Sequence, residues 1–386
     1  MSLSRRVFVR TLGAGGAGAL LLGRPAGVWP GMALHAAETE PLLLHNNENP
    51  MGPGRAARDA IHAWLRPNAA ETGRYIGNVR DLMKTIAAHY SVAPENVMIG
   101  NGSSQILETA TWILTGKTKP LVTAAPTYEE CASHAKVLGT PVLAVPLDAA
   151  LRLDLDGMAA ASRGAGLVFV NNPNNPTATV HSGNAIAGFI DRVLASSPDT
   201  TVLIDEAYHD YVTDRSYATQ APLALKNPRV IVARTFSKAH GLAGMRVGYA
   251  IAHPKTIEAL RRWHYGDTLN LLGIAAAGAS IGDAAHMARE KARNTEARDY
   301  TVNWFNRAGF KATDSQANFI FVDIRRPAKP FREACRAQGV VIARDFPPFE
   351  KTHVRISIGT LDEMRRATAV FAKVLGVPGT PTAAAA

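Results

Sequence analysis

Cysteine is nearly absent: Cys131 and Cys335 are the only thiols in 386 residues, too few for a disulfide framework and without metal-ligand spacing. Both are expected to be buried and inert. Acidic residues are missing from positions 1–36, which carry Arg5, Arg6, Arg10 and Arg24, so four of the ten formal positive charges belong to that segment. The remaining excess comes with no nucleic-acid motif and no interleaved basic and aromatic stripe, and reads as solvated surface or a preference for anionic ligands. Positions 1–70 hold no helix-turn-helix pattern, which argues against a fused DNA-binding regulator. No apolar run is long enough to cross a bilayer comfortably; "TLGAGGAGALLLG" is short and only weakly apolar. No repeat, low-complexity block or long linker interrupts residues 70–280.

What is present, 47% hydrophobic and 19% charged residues, is enough for a large α/β core and a second, smaller domain. "SRRVFVR" at 4–10, followed by the apolar run and small residues near Gly31, Ala33 and Ala36, resembles a twin-arginine export signal, an address read by a receptor. The expected organisation is a signal segment at 1–36, an arm at 37–65 packing with the small domain, a large domain at 66–282 and a small C-terminal domain at 283–386. The tail 378–386 is expected to be disordered. An exported, periplasmic protein follows, membrane-anchored if the segment is not cleaved.

Short apolar runs alternate with amphipathic stretches, the pattern of a mostly parallel sheet flanked by helices. "NVMIG", "PLVTAA", "GLVFV", "TVLID" and "RVIVART" are the clearest strands; "ANFIFVDI", "GVVIARD" and "HVRISIG" belong to the smaller unit, after a helix at about 283–308. Ligands bind open parallel sheets at the carboxyl ends of strands. Polar clusters fall there repeatedly: "GNGSS", "NNPNNPTA", "DEAYHDY" and "FSKAHGLAG". The first opens a helix, whose free N–H groups and dipole suit a phosphate. A buried Asp205 and a buried Lys238 are each costly alone, and a structural salt bridge would satisfy both. That bridge leaves unexplained the asparagines, tyrosines, hydroxyls and Arg246 at the same rim. A pyridoxal phosphate ring needs a carboxylate for its nitrogen, a lysine for its aldehyde, and N–H groups, hydroxyls and an arginine for its phosphate.

The ordered series "NNENP", "GNGSSQ", "PTYEE", "NNPNNPTA", "DEAYHDY", "RTFSKAHGLAGMRVGYA" and "VRISIG" resembles the fold-type I, class I/II pyridoxal-phosphate aminotransferases, in their histidinol-phosphate aminotransferase branch, over residues 44 to about 365. The resemblance implies an aspartate-aminotransferase-like fold, an amino donor and a 2-oxo acid acceptor. It makes Lys238 the internal Schiff-base lysine and Asp205 the pyridinium partner. Asn175 and Tyr208 match the pair that bonds the ring oxygen, and Tyr128 the ring that stacks on the pyridine. Ser103, Ser104, Thr235, Ser237 and Arg246 match the phosphate site. Tyr75 in "GRYIGN" matches a tyrosine that reaches the neighbouring subunit's cofactor, implying a homodimer with shared sites; Ile76 replaces the usual proline. Arg355 matches the grip on the substrate's carboxylate or phosphate, Asn47 and Asn49 the arm beside the substrate, and Arg344 a position that reaches a distal anionic group.

The chain departs from the pattern at Met51, Ser104 and Ala178, where tyrosine, aspartate and glycine are usual. These leave Schiff-base chemistry intact and the substrate open. A decarboxylase resembling threonine-phosphate decarboxylase uses the same cofactor residues and stands as the enzymatic rival. A non-catalytic cofactor-binding protein is a further alternative, disfavoured because Lys238 and Asp205 are both present.

Overall fold

Strand β1 (Leu42–Leu44) precedes the seven strands of the main sheet: β2 (Val97–Asn101), β3 (Leu121–Ala125), β4 (Val142–Pro146), β5 (Leu167–Asn171), β6 (Thr201–Asp205), β7 (Val230–Thr235) and β8 (Val247–Ala252). The structure is a computed structural model that describes residues 40–68, 70, 79–263 and 269–378. The expected export segment, Tyr75 and residues 379–386 of the expected tail lie outside these. The sheet order is β2-β8-β7-β6-β5-β3-β4. Neighbours from β7 through β4 run parallel, whereas β8 is antiparallel to both β7 and β2.

Strands β5, β6, β7 and β8 are buried at every position, because helices cover both faces. Alternation sorts their side chains. Phe169, Leu203 and Ile231 pack with Ile106 and Leu107 of helix Gly102–Leu114. Val168, Val202 and Ile204 pack with Phe189 and Ile190 of helix Gly183–Ser196. Each fully buried side chain of this kind contributes roughly 1.5–3 kcal/mol. The helix N-termini differ in a way that matters for function. Ser182 Oγ caps Gly183–Ser196, and a Thr360–Glu363 capping box starts helix Leu361–Leu375. Helix Gly102–Leu114 receives no side-chain cap from Asn101. Its first turn is therefore left without a side-chain acceptor from the cap position.

The C-terminal part adds β9 (Lys311–Ala312), β10 (Phe319–Asp323), β11 (Val340–Ile342) and β12 (His353–Ser357). β12, β10 and β9 form an antiparallel sheet, and β1 pairs in parallel with β11, Leu42 opposite Val340. The long helix is Ala284–Arg307. Sequence reading did not single out β4, β8 or helix Leu271–Ser280. β4 is an edge strand with largely exposed residues, and β8 follows directly on the polar "FSKAHGLAGMR" loop, so neither stands out as an isolated apolar run. Cys131 and Cys335 are both buried, and burial pushes each thiol up to about 12.

Candidate active site

The parallel strands β5, β6 and β7 end side by side, with Asn171 opposite Asp205 and Asp205 opposite Ala233. Their following loops, the uncapped helix end at Gly102, the segment 46–48 and the loop after β11 enclose a cavity of about 500 Å³. Ser103, Ser104, Tyr128, Asn175, Asp205, Tyr208, Thr235, Ser237, Lys238, Arg246, Asn47, Arg344 and Arg355 all line it. Asn49 does not: its Nδ2 donates to Ala239 O at 3.0 Å and its Oδ1 accepts from Met51 N, a turn arrangement.

Asp205 is 2% exposed, and its Oδ1 accepts one hydrogen bond, from Ala207 N at 3.1 Å. Burial pushes its carboxyl up to about 7, against the opposing pull of that N–H and of the Lys238 charge. Lys238 Nζ donates to Asn46 O at 3.1 Å and lies 5.8 Å from the centroid of the Tyr208 ring. Burial, then the charge of Arg355, lowers its amine to about 8, while Glu48 and Asp205 pull the other way. No hydrogen bond or salt bridge joins Asp205 to Lys238 among the described residues. The simple structural bridge is therefore not what these two groups form. They stand as a carboxylate and an amine, both perturbed toward neutrality, facing one cavity.

Near the helix N-terminus, Thr235 Oγ1 donates to Ser237 Oγ at 2.9 Å and accepts from Ser237 N at 3.0 Å. Arg246 has a left-handed backbone, φ 54°, and its Nη1 donates to Ala243 O at 3.1 Å and reaches Ser237 Oγ at 3.5 Å. Gly102, at φ 73°, makes the approach of this arginine possible, since a Cβ there would stand 2.4 Å from Arg246 Nη2. Gly248 on β8 likewise leaves room for Ser103 N, which a Cβ would meet at 2.2 Å. Two hydroxyls, an uncapped helix end and a guanidinium thus converge as an anion site.

The opposite wall comes from the small sheet and the N-terminal segment. Arg355, 8% exposed, points from β12 and donates Nη1 to Asn175 Oδ1 at 2.7 Å and Nη2 to His45 O at 2.5 Å. Its Nε is buried without a partner among the described residues, and burial lowers its guanidinium to about 10. Phe346 lies between two cations, 4.9 Å from Arg355 Cζ and 4.6 Å from Arg344 Cζ. Arg344, which lines the cavity, pairs with Glu129, Nη2 to Oε2 2.6 Å. Tyr128 donates to Glu130 Oε2 at 3.2 Å, and burial raises its phenol. Tyr208 accepts from Asn47 Nδ2 at 3.1 Å; burial pushes its hydroxyl up to about 12, against the Arg355 charge.

Sequence reading missed Asn46, Glu48, Thr127, Asn171 and Phe346 as lining residues. Asn171 carried a signal, being a polar residue ending an apolar strand. Phe346 carried none, because only folding brings it between two arginines. Among the described residues no group of three or more His, Cys, Asp or Glu could hold a metal.

The profile of the family "Aminotransferase class I and II" matches residues 39–371. A histidinol-phosphate aminotransferase of Moorella thermoacetica is 37% identical over 342 residues, covering 86% of this chain and 84% of that protein. Among solved structures, histidinol-phosphate aminotransferase from Sinorhizobium meliloti in complex with pyridoxal-5'-phosphate is similar, with TM-score 0.80, 26% identity, and coverage of 87% of this chain and 91% of that one. A double mutant of Thermus thermophilus aspartate aminotransferase shares the fold at TM-score 0.76 and 18% identity, covering 87% and 92%. With Asp205, Lys238 and the anion site assembled at the strand ends, the chain belongs to the class I and II aminotransferases, in the histidinol-phosphate aminotransferase branch.

Proposed function

We propose that this aminotransferase holds pyridoxal phosphate in the cavity and moves an amino group between an amino acid, or an amino-alcohol phosphate, and a 2-oxo acid. The observation that carries the reading is the convergence of Asp205, Lys238 and the Ser103–Ser237–Arg246 anion site on one cavity. The donor set fits the cofactor: a carboxylate whose Oδ2 has no hydrogen-bond partner among the described residues, an amine lowered to about 8, and a phosphate cradle opened by Gly102. When bound, pyridoxal phosphate supplies an aldehyde that condenses with amines and a pyridinium ring that withdraws electrons from the adjacent Cα.

Each side chain then has a task. Ser103, Ser104, Thr235, Ser237 and Arg246 bind the phosphate, and Tyr128 covers the ring. Asp205 keeps the ring nitrogen protonated, an attraction that also returns its own carboxyl to the charged form. Asn175 and Tyr208 orient the ring oxygen. Lys238 Nζ, whose amine is lowered to about 8 so that its neutral form is within reach near neutral pH, would be the amine that condenses with the aldehyde, with loss of water, and the base that would carry the proton at the substrate Cα. Arg355 orients the substrate carboxylate, and Arg344 lies where a second anionic group of the substrate would reach.

Adding pyridoxal phosphate to the protein is expected to produce visible absorbance, lost in Lys238→Ala together with turnover. Incubation with amino donors and 2-oxoglutarate is expected to yield a new amino acid and an oxo acid. Carbon dioxide release without an oxo product would instead establish a decarboxylase, and a colourless wild type would defeat the reading. The homodimer and the export step belong to the same proposal, supported by Tyr75 in "GRYIGN" and by "SRRVFVR". Complementation between Tyr75→Phe and Lys238→Ala subunits tests the shared site. Loss of export of a reporter fused after residue 36 when Arg5 and Arg6 become lysine tests the address.

A further inference from the structure

Ser357 and Asn47 impose a direction on the hydroxyl of Tyr208. The backbone N–H of Asn47 donates to Ser357 Oγ at 2.8 Å, and Ser357 Oγ donates in return to Asn47 Oδ1 at 2.9 Å. With that carbonyl oxygen engaged, the Asn47 amide turns Nδ2 to Tyr208, which accepts at 3.1 Å. The reversed amide would leave the proton of Ser357, itself 3% exposed, without an acceptor among the described residues. Asn318 Nδ2 holds the carbonyl of Asn47 at 2.9 Å, fixing a backbone at φ 56° that asparagine tolerates better than most residues.

A hydroxyl that accepts from Nδ2 still has its own proton to give. No acceptor among the described residues takes it, and Asn175 Oδ1, on the same cavity wall, is already engaged by Arg355. We infer that Ser357 and Asn47 are positioning residues that hold the Tyr208 hydroxyl as a hydrogen-bond donor into the cavity, toward the cofactor's ring oxygen. This rests on the pyridoxal-phosphate reading above. Asn47 acts here through Tyr208, and Ser357 acts through Asn47. Ser357 lies two residues from Arg355 on β12, so one face of one strand of the small sheet governs both Asn175 and Tyr208.

A donor to the ring oxygen stabilises negative charge there, which lowers the pH at which the visible band of the lysine-bound cofactor titrates. The band is titrated in the cofactor-loaded wild type, Asn47→Asp, Tyr208→Phe, their double variant, and Ser357→Ala, which adds no charge. An aspartate at position 47 accepts where asparagine donates, drawing the Tyr208 proton out of the cavity. The midpoint is expected to rise by about one pH unit in each of the first two variants, the size of one charge-assisted hydrogen bond. The double variant should rise no further, because both changes remove the same bond. Ser357→Ala should shift it less, in the same direction. Additive shifts in the double variant would show that the introduced carboxylate acts by charge alone, and they overturn the relay. So does an unmoved midpoint in a folded Ser357→Ala; should that variant not fold, the double-variant comparison decides. A wild type with no titrating band defeats the pyridoxal-phosphate reading, whereas a titrating wild type with unmoved variants defeats the relay alone.

Discussion

Glu206 and Arg234 form a buried ion pair, Oε2 to Nη2 2.7 Å, back to back with Asp205 and Thr235. Strand alternation turns Asp205 and Thr235 into the cavity and their chain neighbours away from it. The pair is satisfied on all sides: Glu206 accepts from Gln220 N and Thr219 Oγ1, and Arg234 donates to Tyr90 at 2.6 Å. Removing one partner strands the other charge in the interior. Glu206→Gln is expected to lower stability by about 3 kcal/mol, read as a lower urea midpoint. An unchanged midpoint would show that the pair does not hold these strand ends.

Asp205 gives the cofactor-free protein a pH dependence. Its carboxyl titrates near 7 when folded and near 3.8 when unfolded, so between those values the folded state holds a proton that the unfolded chain has released. Stability therefore falls as pH rises through this window, by on the order of 4 kcal/mol. Lys238 acts in a higher window with the opposite sign, because its amine titrates near 8 when folded and near 10.5 when unfolded. Asp205→Asn is expected to flatten the lower window and stabilise the cofactor-free protein at pH 7, with transamination lost. Thermal melts between pH 4 and 8 check this; parallel curves for wild type and variant would contradict it.

Gly102→Ala tests the anion site without replacing a charged residue. The new methyl meets Arg246 Nη2 and forces a side-chain-bearing residue into φ 73°. Displacing the guanidinium is expected to weaken pyridoxal phosphate binding roughly tenfold, the order of one charge-assisted bond. The backbone strain should reduce stability by about 1 kcal/mol. Fluorescence titration of the cofactor measures the first effect and denaturation the second.

Arg355→Lys keeps the positive charge and loses the fork. A lysine cannot donate to Asn175 and His45 while leaving a flat bidentate face for a carboxylate, nor stack on Phe346 in the same way. The expected result is a fall in kcat/KM of roughly 10- to 100-fold for carboxylate substrates, with the cofactor still bound. Equal kinetics in the variant would remove Arg355 from substrate recognition.

Much of the main sheet could be read in the chain because its strands are short apolar runs closed by a polar residue. "TVLID" is β6 to the residue, and "RVIVART" contains β7. Lys238 and Asp205 stood out for the same reason, as charges at the ends of buried strands. Ala178 shows a subtler legibility: the family resemblance implies glycine there, and the position has φ 60°. Strand β8 was not legible, because an antiparallel strand beside a polar loop has no pattern distinguishing it from a loop end. Ser357 was equally silent, being one more small polar residue in an apolar strand. Its meaning depends on Asn47, 310 positions away in the chain.

The sequence by itself determined which residues could do chemistry, since side-chain type and strand-end position are local properties carried by short stretches of chain. Tertiary structure decided which of them meet. Asn47 bonds Tyr208 while Asn49 turns to Ala239, although the two belong to one motif. Phe346 lies between Arg344 and Arg355, and Ser357 sets the orientation of Asn47. These outcomes depend on hydrogen-bond direction and on contacts between distant segments, which exist only once the small sheet, the N-terminal segment and the main sheet have packed together.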